Sequence, residues 1–156
     1  MTKSKSSKPY DERTDHEKLH SSWKKARAQF KRKDWSASVT RVATAAEIAT
    51  NIYVRGYLVD EYHLPWGFVD NLLKDTSGIF GKFLRLVQPI ARQRETWTNI
   101  KKIQEKHIQL LNDHRNEVVH SGRFKNRGKA VEAFTHGLAV INTLTPFEAK
   151  GLEVPK

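Results

Sequence analysis

The sequence predicts an all-α fold, a helical bundle of about five helices preceded by a disordered basic tail. Apolar residues recur every three or four positions through most of the chain, which is the period of an amphipathic helix. No segment shows the strict alternation of apolar and polar residues that marks a half-buried strand. With 156 residues, the chain has the length of one domain with a single core.

The N-terminal part divides into a tail and a basic helix. Residues 1–13 consist mainly of Ser, Lys and other charged residues, and we expect them to be disordered. Residues 14–34 predict a basic helix that precedes the main domain. Its apolar side chains form a narrow stripe that must pack on another element, namely Leu19, Trp23, Ala26 and Phe30.

Residues 36–63 form the clearest helical pattern of the chain. Ser36 can cap the N-terminus of this helix, and Pro65 stops it. Apolar residues occupy almost the whole circumference of the helix. A helix of this kind lies at the centre of its bundle or at a contact between subunits.

Four further elements follow: a short helix or turn over 65–76, and helices over 79–91, 96–121 and 130–144. Pro89 is expected to end or kink the second of these elements, and the last helix stops near Pro146. The helical domain therefore covers residues 35–146, and residues 147–156 are expected to form a C-terminal tail.

The composition restricts the environment and the partners. The formal net charge of +11 favours an anionic partner, which can be nucleic acid, an acidic protein or an anionic surface, although a solubilising coat produces the same charge. The absence of Cys excludes disulfides and thiolate metal sites and fits a reducing cytoplasm. No apolar run reaches the roughly 18 residues of a membrane span, and no apolar segment follows the charged start. We expect a cytoplasmic protein with no membrane partner and no cofactor.

The helix predicted over residues 96–121 has one apolar and one polar face. At about 100° per residue, its core stripe contains Ile100, Ile103, His107, Leu110, Leu111 and Val118. His107 and His114 fall in or beside this stripe, so we expect both to be packed, hydrogen-bonded histidines. Asn116 and His120 lie together on the opposite face, because they are four residues apart.

Arg115, Asn116 and His120 form a candidate catalytic set. Arg115 lies on the border between the two faces, from which its long side chain can reach toward His120 or pack its stem on the edge of the core. A histidine transfers protons near neutral pH, a guanidinium binds phosphate oxygens and stabilises their developing charge, and an asparagine can orient either group. The set suits metal-free cleavage of RNA, in which the ribose 2′-OH attacks its own phosphate. A solvated helix end, closed by Gly122, explains the same residues without catalysis.

The segment RNEVVH, residues 115–120, resembles the Arg-polar-x-x-x-His signature of HEPN (higher eukaryotes and prokaryotes nucleotide-binding) domains. These domains are small all-α bundles that carry the signature at the end of a late, long helix, often before a small residue or Gly. The Ala-rich segment 42–58, which contains Glu47, is similar to the first core helix of the family. The resemblance covers residues 35–145 and leaves residues 1–33 unassigned.

This resemblance implies a function and a set of partners. Many HEPN domains are metal-independent endoribonucleases that dimerise, so that two copies of the signature face each other across a cleft. They occur as toxins, defence effectors and RNA-processing factors, and toxin members often pair with an antitoxin such as a minimal nucleotidyltransferase. The resemblance therefore implies a homodimer that cleaves RNA with Arg115, Asn116 and His120. Other members have lost catalysis and bind nucleotides or serve as assembly modules.

The loop after the signature carries four basic residues: Arg123, Lys125, Arg127 and Lys129. They can contact RNA phosphates and make binding depend on salt, or they can belong to an ordinary exposed loop. Phe124 can stack on a base or anchor the loop, and we expect it to anchor the loop.

Three further observations concern supporting residues and metals. Glu47 is expected to be partly buried and to form a structural ion pair rather than act as a catalytic acid, with candidate partners Arg115, Arg55 and Asn51. His16 and His20 are four residues apart but the sequence shows no third ligand, so no metal site is expected. Neither a phosphate-binding Gly-rich loop nor an assignable Ser-His-Asp set is present.

Two other classes of function remain open beside the endoribonuclease. The first is a helical module that binds nucleic acid or nucleotide through its basic surface without cleaving it. The second is a structural partner of an acidic protein. Cleavage of RNA in EDTA, and its dependence on Arg115 and His120, distinguishes these classes.

Overall fold

The computed structural model describes residues 13–121 and 124–156. Within these residues the chain is all-helical, as predicted, and forms seven helices rather than about five. The first three helices are α1 (Asp15–Lys31), α2 (Trp35–Arg55, continued by a π-helical segment, Gly56–Glu61) and α3 (Trp66–Asp75). The next two each contain a π-helical segment: α4 (Ile79–Lys82, Phe83–Val87, Gln88–Gln93) and α5 (Trp97–Ile103, Gln104–Ile108, Gln109–Ser121). The last two are α6 (Arg127–Leu144) and α7 (Pro146–Ala149).

The two additional helices lie where the sequence pattern is weakest. α3, predicted as a short helix or turn, is a ten-residue helix that buries Val69 and Leu73. α7 begins inside the helical domain and extends into the predicted C-terminal tail. The rest of that tail packs as well, because Leu152 and Val154 rest against the core and Trp23 Nε1 donates to Glu153 O at 3.2 Å.

α1 starts at a capping box and packs on the bundle through the predicted stripe. The Thr14 hydroxyl accepts from the backbone N–H of Glu17, and the Glu17 carboxylate accepts from the backbone N–H of Thr14. All four stripe residues, Leu19, Trp23, Ala26 and Phe30, are buried. Trp23 and Phe30 each meet the ring of Phe134 from α6 edge to face, with centroids 5.2 and 5.7 Å apart.

α2 is the central helix of the bundle, as its apolar circumference predicts. It packs against α1, α5 and α6 and buries eleven side chains in its α-helical part. The N-cap is Asp34 rather than Ser36, because the Asp34 carboxylate accepts from the backbone N–H of Ala37 at 3.3 Å. Ser36 lies inside the helix, where its hydroxyl accepts from the backbone N–H of Lys125.

Pro89 lies within α4 and does not end it. The π-helical segment Phe83–Val87 directly precedes the α-helical segment that contains Pro89, and that segment continues to Gln93. A proline has no N–H to donate to the preceding turn, so a locally widened helix accommodates it. Within the described residues, no helix is both long and apolar enough to span a membrane.

Candidate nucleic-acid site around Arg115

Arg115 lines a cavity of about 460 Å³ where the first five helices meet. α2 contributes Glu47, Asn51 and Arg55 to its walls, and α4 contributes Lys82. Five cationic side chains line the cavity: Lys18, Arg55, Lys74, Lys82 and Arg115. Three acidic side chains line it, namely Asp15, Glu47 and Asp70, so the lining carries an excess of positive charge that favours an anionic ligand.

The acidic side chains of this cavity are paired with cations other than Arg115. The Arg55 guanidinium contacts Asp15 and lies 2.9 Å from Asp70. Asp70 also meets Lys74 at 2.8 Å, and the hydrogen bonds and charge of Lys74 and Arg55 hold the pKa of the Asp70 carboxyl below its usual value. These pairs use carboxylates that could otherwise neutralise Arg115.

Glu47 forms the ion pair expected of it, but its partner differs from the three candidates. Lys82 Nζ lies 2.8 Å from Glu47 Oε1, and the Lys82 side chain is only 8% exposed. The sequence contained a signal for this pair, because Lys82 interrupts the apolar run from Ile79 to Phe83 on a helix that must be buried. A buried ammonium requires a carboxylate partner.

Arg115 keeps its charge available to a ligand. Its guanidinium donates to Asn116 Oδ1 at 3.3 Å, and it forms no ion pair within residues 13–121 and 124–156. Both side chains are half-buried. A hydrogen bond therefore joins Arg115 and Asn116, two of the three predicted catalytic residues, and of the two only Arg115 lines the cavity.

His120 lies in the last turn of α5 and is exposed to solvent. It is one turn beyond Asn116, on the same side of the helix. In the part of the chain that the structure describes, the His120 ring makes no hydrogen bond to Arg115 or to Asn116. The imidazole is thus accessible, while the guanidinium faces the cavity. The predicted helix end Gly122 and the basic residue Arg123 lie outside the described residues.

The opposite side of α5 carries the histidines predicted to be packed and hydrogen-bonded, and this prediction is confirmed. His107 Nδ1 and His136 Nδ1 are 2.9 Å apart, and His114 Nδ1 lies 3.1 Å from Lys125 Nζ. Burial lowers the pKa of all three imidazoles, and nearby positive charges add to the effect: His136 and Lys106 act on His107, Lys125 on His114, and His114 on His136. These rings belong to the contact between α5 and α6.

The basic loop after α5 is divided between buried and exposed side chains. The Lys125 side chain is 5% exposed, and its ammonium contacts Glu117 and His114 instead of solvent. Arg127 and Lys129 are exposed, although Lys129 lies 3.2 Å from Glu132. Phe124 is 93% exposed, so the expectation that it anchors the loop is wrong. Phe124, Arg127 and Lys129 are thus each exposed, and the Arg127 guanidinium lies 5.6 Å from the centroid of the Phe30 ring.

His16 and His20 have a neighbour that the sequence did not reveal. The carboxylate of Glu148, on α7 near the other end of the chain, contacts His16 and lies 3.6 Å from His20. The large sequence separation between α1 and α7 conceals this proximity, and α7 lies mostly in the segment expected to be a C-terminal tail.

Comparisons with protein-family models, curated proteins and solved structures give no significant match for this chain.

Proposed function

We propose that this protein is a metal-independent endoribonuclease of the HEPN type that acts as a homodimer. The main support is the state of Arg115. Its guanidinium lines a cationic cavity and has no carboxylate partner among the described residues, whereas Arg55 and Lys82 in the same cavity are both paired. A guanidinium with unused hydrogen-bond donors in a cavity of positive charge suits a phosphate group.

The proposed reaction uses the 2′-OH of the RNA substrate. The 2′-oxygen attacks the adjacent phosphorus, the bond from phosphorus to the 5′-oxygen breaks, and a 2′,3′-cyclic phosphate and a 5′-hydroxyl result. His120 of one copy accepts the proton of the 2′-OH, and His120 of the second copy donates a proton to the departing 5′-oxygen. Arg115 stabilises the charge on the non-bridging oxygens, and Asn116 positions Arg115 through its Oδ1.

The exposed side chains of Phe124, Arg127 and Lys129 are proposed to hold the substrate. A base can stack on the Phe124 ring, because the ring is almost fully exposed. Arg127 and Lys129 can contact phosphates, which makes binding weaken as salt is added. The proposal extends to a toxin or defence effector restrained by an antitoxin or nucleotidyltransferase partner, for which the net charge of +11 favours an acidic partner surface.

A second candidate is a module that binds RNA or nucleotide without cleaving it. Two observations favour this alternative. The His120 ring makes no described hydrogen bond with Arg115, and the exposed ring of Phe124, in a loop rich in basic residues, needs no catalytic partner to bind single-stranded RNA.

The test compares cleavage of a single-stranded RNA in EDTA by the wild type and by two conservative variants. His120→Gln removes the proton-transfer group, and Arg115→Lys keeps the charge but loses the planar fork. We expect each variant to lower the cleavage rate by at least about 100-fold, with products that carry a 2′,3′-cyclic phosphate. Matched controls are His63→Asn and Arg85→Ala, which alter exposed residues outside the cavity and should cleave like the wild type.

The possible results separate the candidates. Binding of RNA by a wild type that does not cleave it supports the binding module. Cleavage that His120→Gln and Arg115→Lys leave unchanged shows that the site assignment is wrong. An oligonucleotide of the same sequence with 2′-deoxyribose in place of ribose should bind and remain intact. Cleavage of this oligonucleotide would refute attack by the 2′-OH. Sedimentation of the wild type as a monomer at the concentrations at which it cleaves would refute the homodimer.

A further inference from the structure

Two histidines of α1 and a glutamate of α7 direct their ligand atoms at one another. His16 and His20 are four residues apart on one face of α1, and their ring centroids are 4.6 Å apart. Glu148 Oε2 contacts His16 Nδ1 and lies 3.6 Å from His20 Nε2. All three ligand atoms lie within 4.8 Å of one another.

Hydrogen bonding does not satisfy this cluster. His20 Nε2 and Glu148 Oε2 are both buried atoms without a hydrogen-bond partner in the described structure, so their contacts lack hydrogen-bond geometry. Burying an unsatisfied acceptor costs free energy. Lone pairs of two imidazoles and a carboxylate that converge in this way are satisfied together by a cation.

We propose that His16, His20 and Glu148 bind a divalent transition-metal ion of the zinc class. Zinc is bound by histidine nitrogen and carboxylate oxygen at about 2.0–2.2 Å, so two ligands of one tetrahedral ion stand about 3.3 Å apart. The 3.6 Å between His20 and Glu148 is close to that spacing, and the contact between His16 and Glu148 opens to admit the ion. Two nitrogen donors disfavour Mg²⁺ and Ca²⁺, which select oxygen ligands.

The exposure of the three side chains suits ion entry and a fourth ligand from solvent. The His16 and His20 side chains are 50% and 37% exposed, whereas the Glu148 side chain is 13% exposed and fixed on α7. The ion therefore reaches the site from the His16 side, and water completes a tetrahedron.

The proposed ion fastens the C-terminal segment to α1. Two other interactions already join the C-terminal segment to α1. Trp23 Nε1 donates to Glu153 O, and the Arg27 guanidinium lies 3.6 Å from the Glu153 carboxylate. An ion held by α1 and α7 closes a loop that includes most of the chain, so binding stabilises the folded protein over the unfolded one. The site takes no part in the proposed RNA cleavage, which is assayed in EDTA.

The test uses the full-length, tag-free protein after removal of metals with EDTA and dialysis. Titration with ZnCl₂ in a calorimeter should give one equivalent of bound Zn²⁺. At a free Zn²⁺ concentration about 100 times the Kd, the wild-type Tm should rise by about 5–10 °C. Replacement of Zn²⁺ by Co²⁺ should give the visible absorption of a tetrahedral cobalt site, which reports ligation directly.

Two ligand variants and two controls decide the assignment. His20→Asn and Glu148→Gln should each weaken Zn²⁺ binding by at least about 100-fold and abolish the cobalt spectrum. His63→Asn removes an exposed imidazole outside the cluster, and His120→Gln removes the proposed catalytic one; both should bind Zn²⁺ like the wild type. Circular dichroism without metal verifies that each variant is folded. Unchanged Zn²⁺ binding in both ligand variants, or no stoichiometric binding by the wild type, would overturn the proposal without affecting RNA cleavage in EDTA.

Discussion

Gly137 of α6 lies against Val42 of α2, and replacing this glycine with Ala should destabilise the protein. A Cβ at this position would overlap Val42 Cγ1 of α2, far inside the about 3.5–4.0 Å at which carbon atoms pack. The next neighbour, Trp23 Cζ3, stands 3.6 Å away and allows ordinary contact. The effect therefore depends on whether Val42 can move.

Val42 has little freedom to move. It is fully buried, and a Val side chain on a helix has one strongly preferred rotamer. Overpacking of this kind costs about 2–3 kcal/mol, and the better helix propensity of Ala returns about 1 kcal/mol. The net result is a free energy of unfolding lower by about 1–2 kcal/mol and a Tm lower by about 3–6 °C.

Urea unfolding followed by circular dichroism measures this change, and two further variants test its cause. Gly56→Ala is the matched control, because a Cβ there meets nothing within 4 Å; it should stabilise the protein by about 0.5–1 kcal/mol. In a Val42→Ala background the overlap disappears, so Gly137→Ala should become stabilising. Equal destabilisation by Gly137→Ala in both backgrounds would refute the steric explanation.

Three further predictions concern charge, hydrogen bonding and pH. Lys82→Met should lower the free energy of unfolding by about 1–3 kcal/mol, because it leaves Glu47 unpaired, and Lys82→Met/Glu47→Gln should recover part of that loss in urea unfolding. Trp23→Phe should cost about 1–2 kcal/mol and speed carboxypeptidase digestion, because the C-terminal segment loses its buried indole donor; digestion at the wild-type rate would contradict this. Burial lowers the pKa of His107 and His136 below 6.5, their usual value. As the pH falls, these imidazoles are therefore protonated in the unfolded chain before they are protonated in the folded protein. The free energy of unfolding, measured with urea, should be highest above pH 6.5 and should fall below that pH by at most about 1.4 kcal/mol per pH unit for each ring. Replacement of His136 by Gln should reduce this slope.

Helical periodicity predicted most of the fold because the long helices bury apolar stripes, but the predicted stripe of α5 is partly wrong. Leu110 is 45% exposed and Ile108, outside the predicted stripe, is buried, because the π-helical segment Gln104–Ile108 shifts the helical phase. The stripe of α1 and the central position of α2 are both evident from spacing alone, and both are confirmed. The N-cap at Asp34 was missed because Ser36, two residues later, is an equally good capping residue. α7 was missed because four residues contain no periodicity, and its burial depends on partners at the other end of the chain.

The sequence indicates that Lys82 needs a carboxylate partner but does not specify which one. Three partners were candidates for Glu47, but its partner in the structure is Lys82. Lys82 lies on α4, and no local sequence pattern specifies how α4 is oriented against α2. The same limit applies to two adjacent loop residues. The Lys125 side chain is buried, whereas the Phe124 ring is exposed. Burial in a loop follows from tertiary contacts and not from residue type.

The availability of Arg115 is a property of the whole cavity and not of a six-residue motif. Each acidic side chain that lines the cavity is engaged: Asp15 and Asp70 with Arg55, and Glu47 with Lys82. Were one of these cations absent, its carboxylate would be free to compete with a phosphate for the guanidinium. Under the proposed function, these three ion pairs keep the carboxylates from competing with a phosphate for the guanidinium. If Arg115 binds an RNA phosphate as proposed, that binding should therefore depend on Arg55 and Lys82, two residues outside the motif.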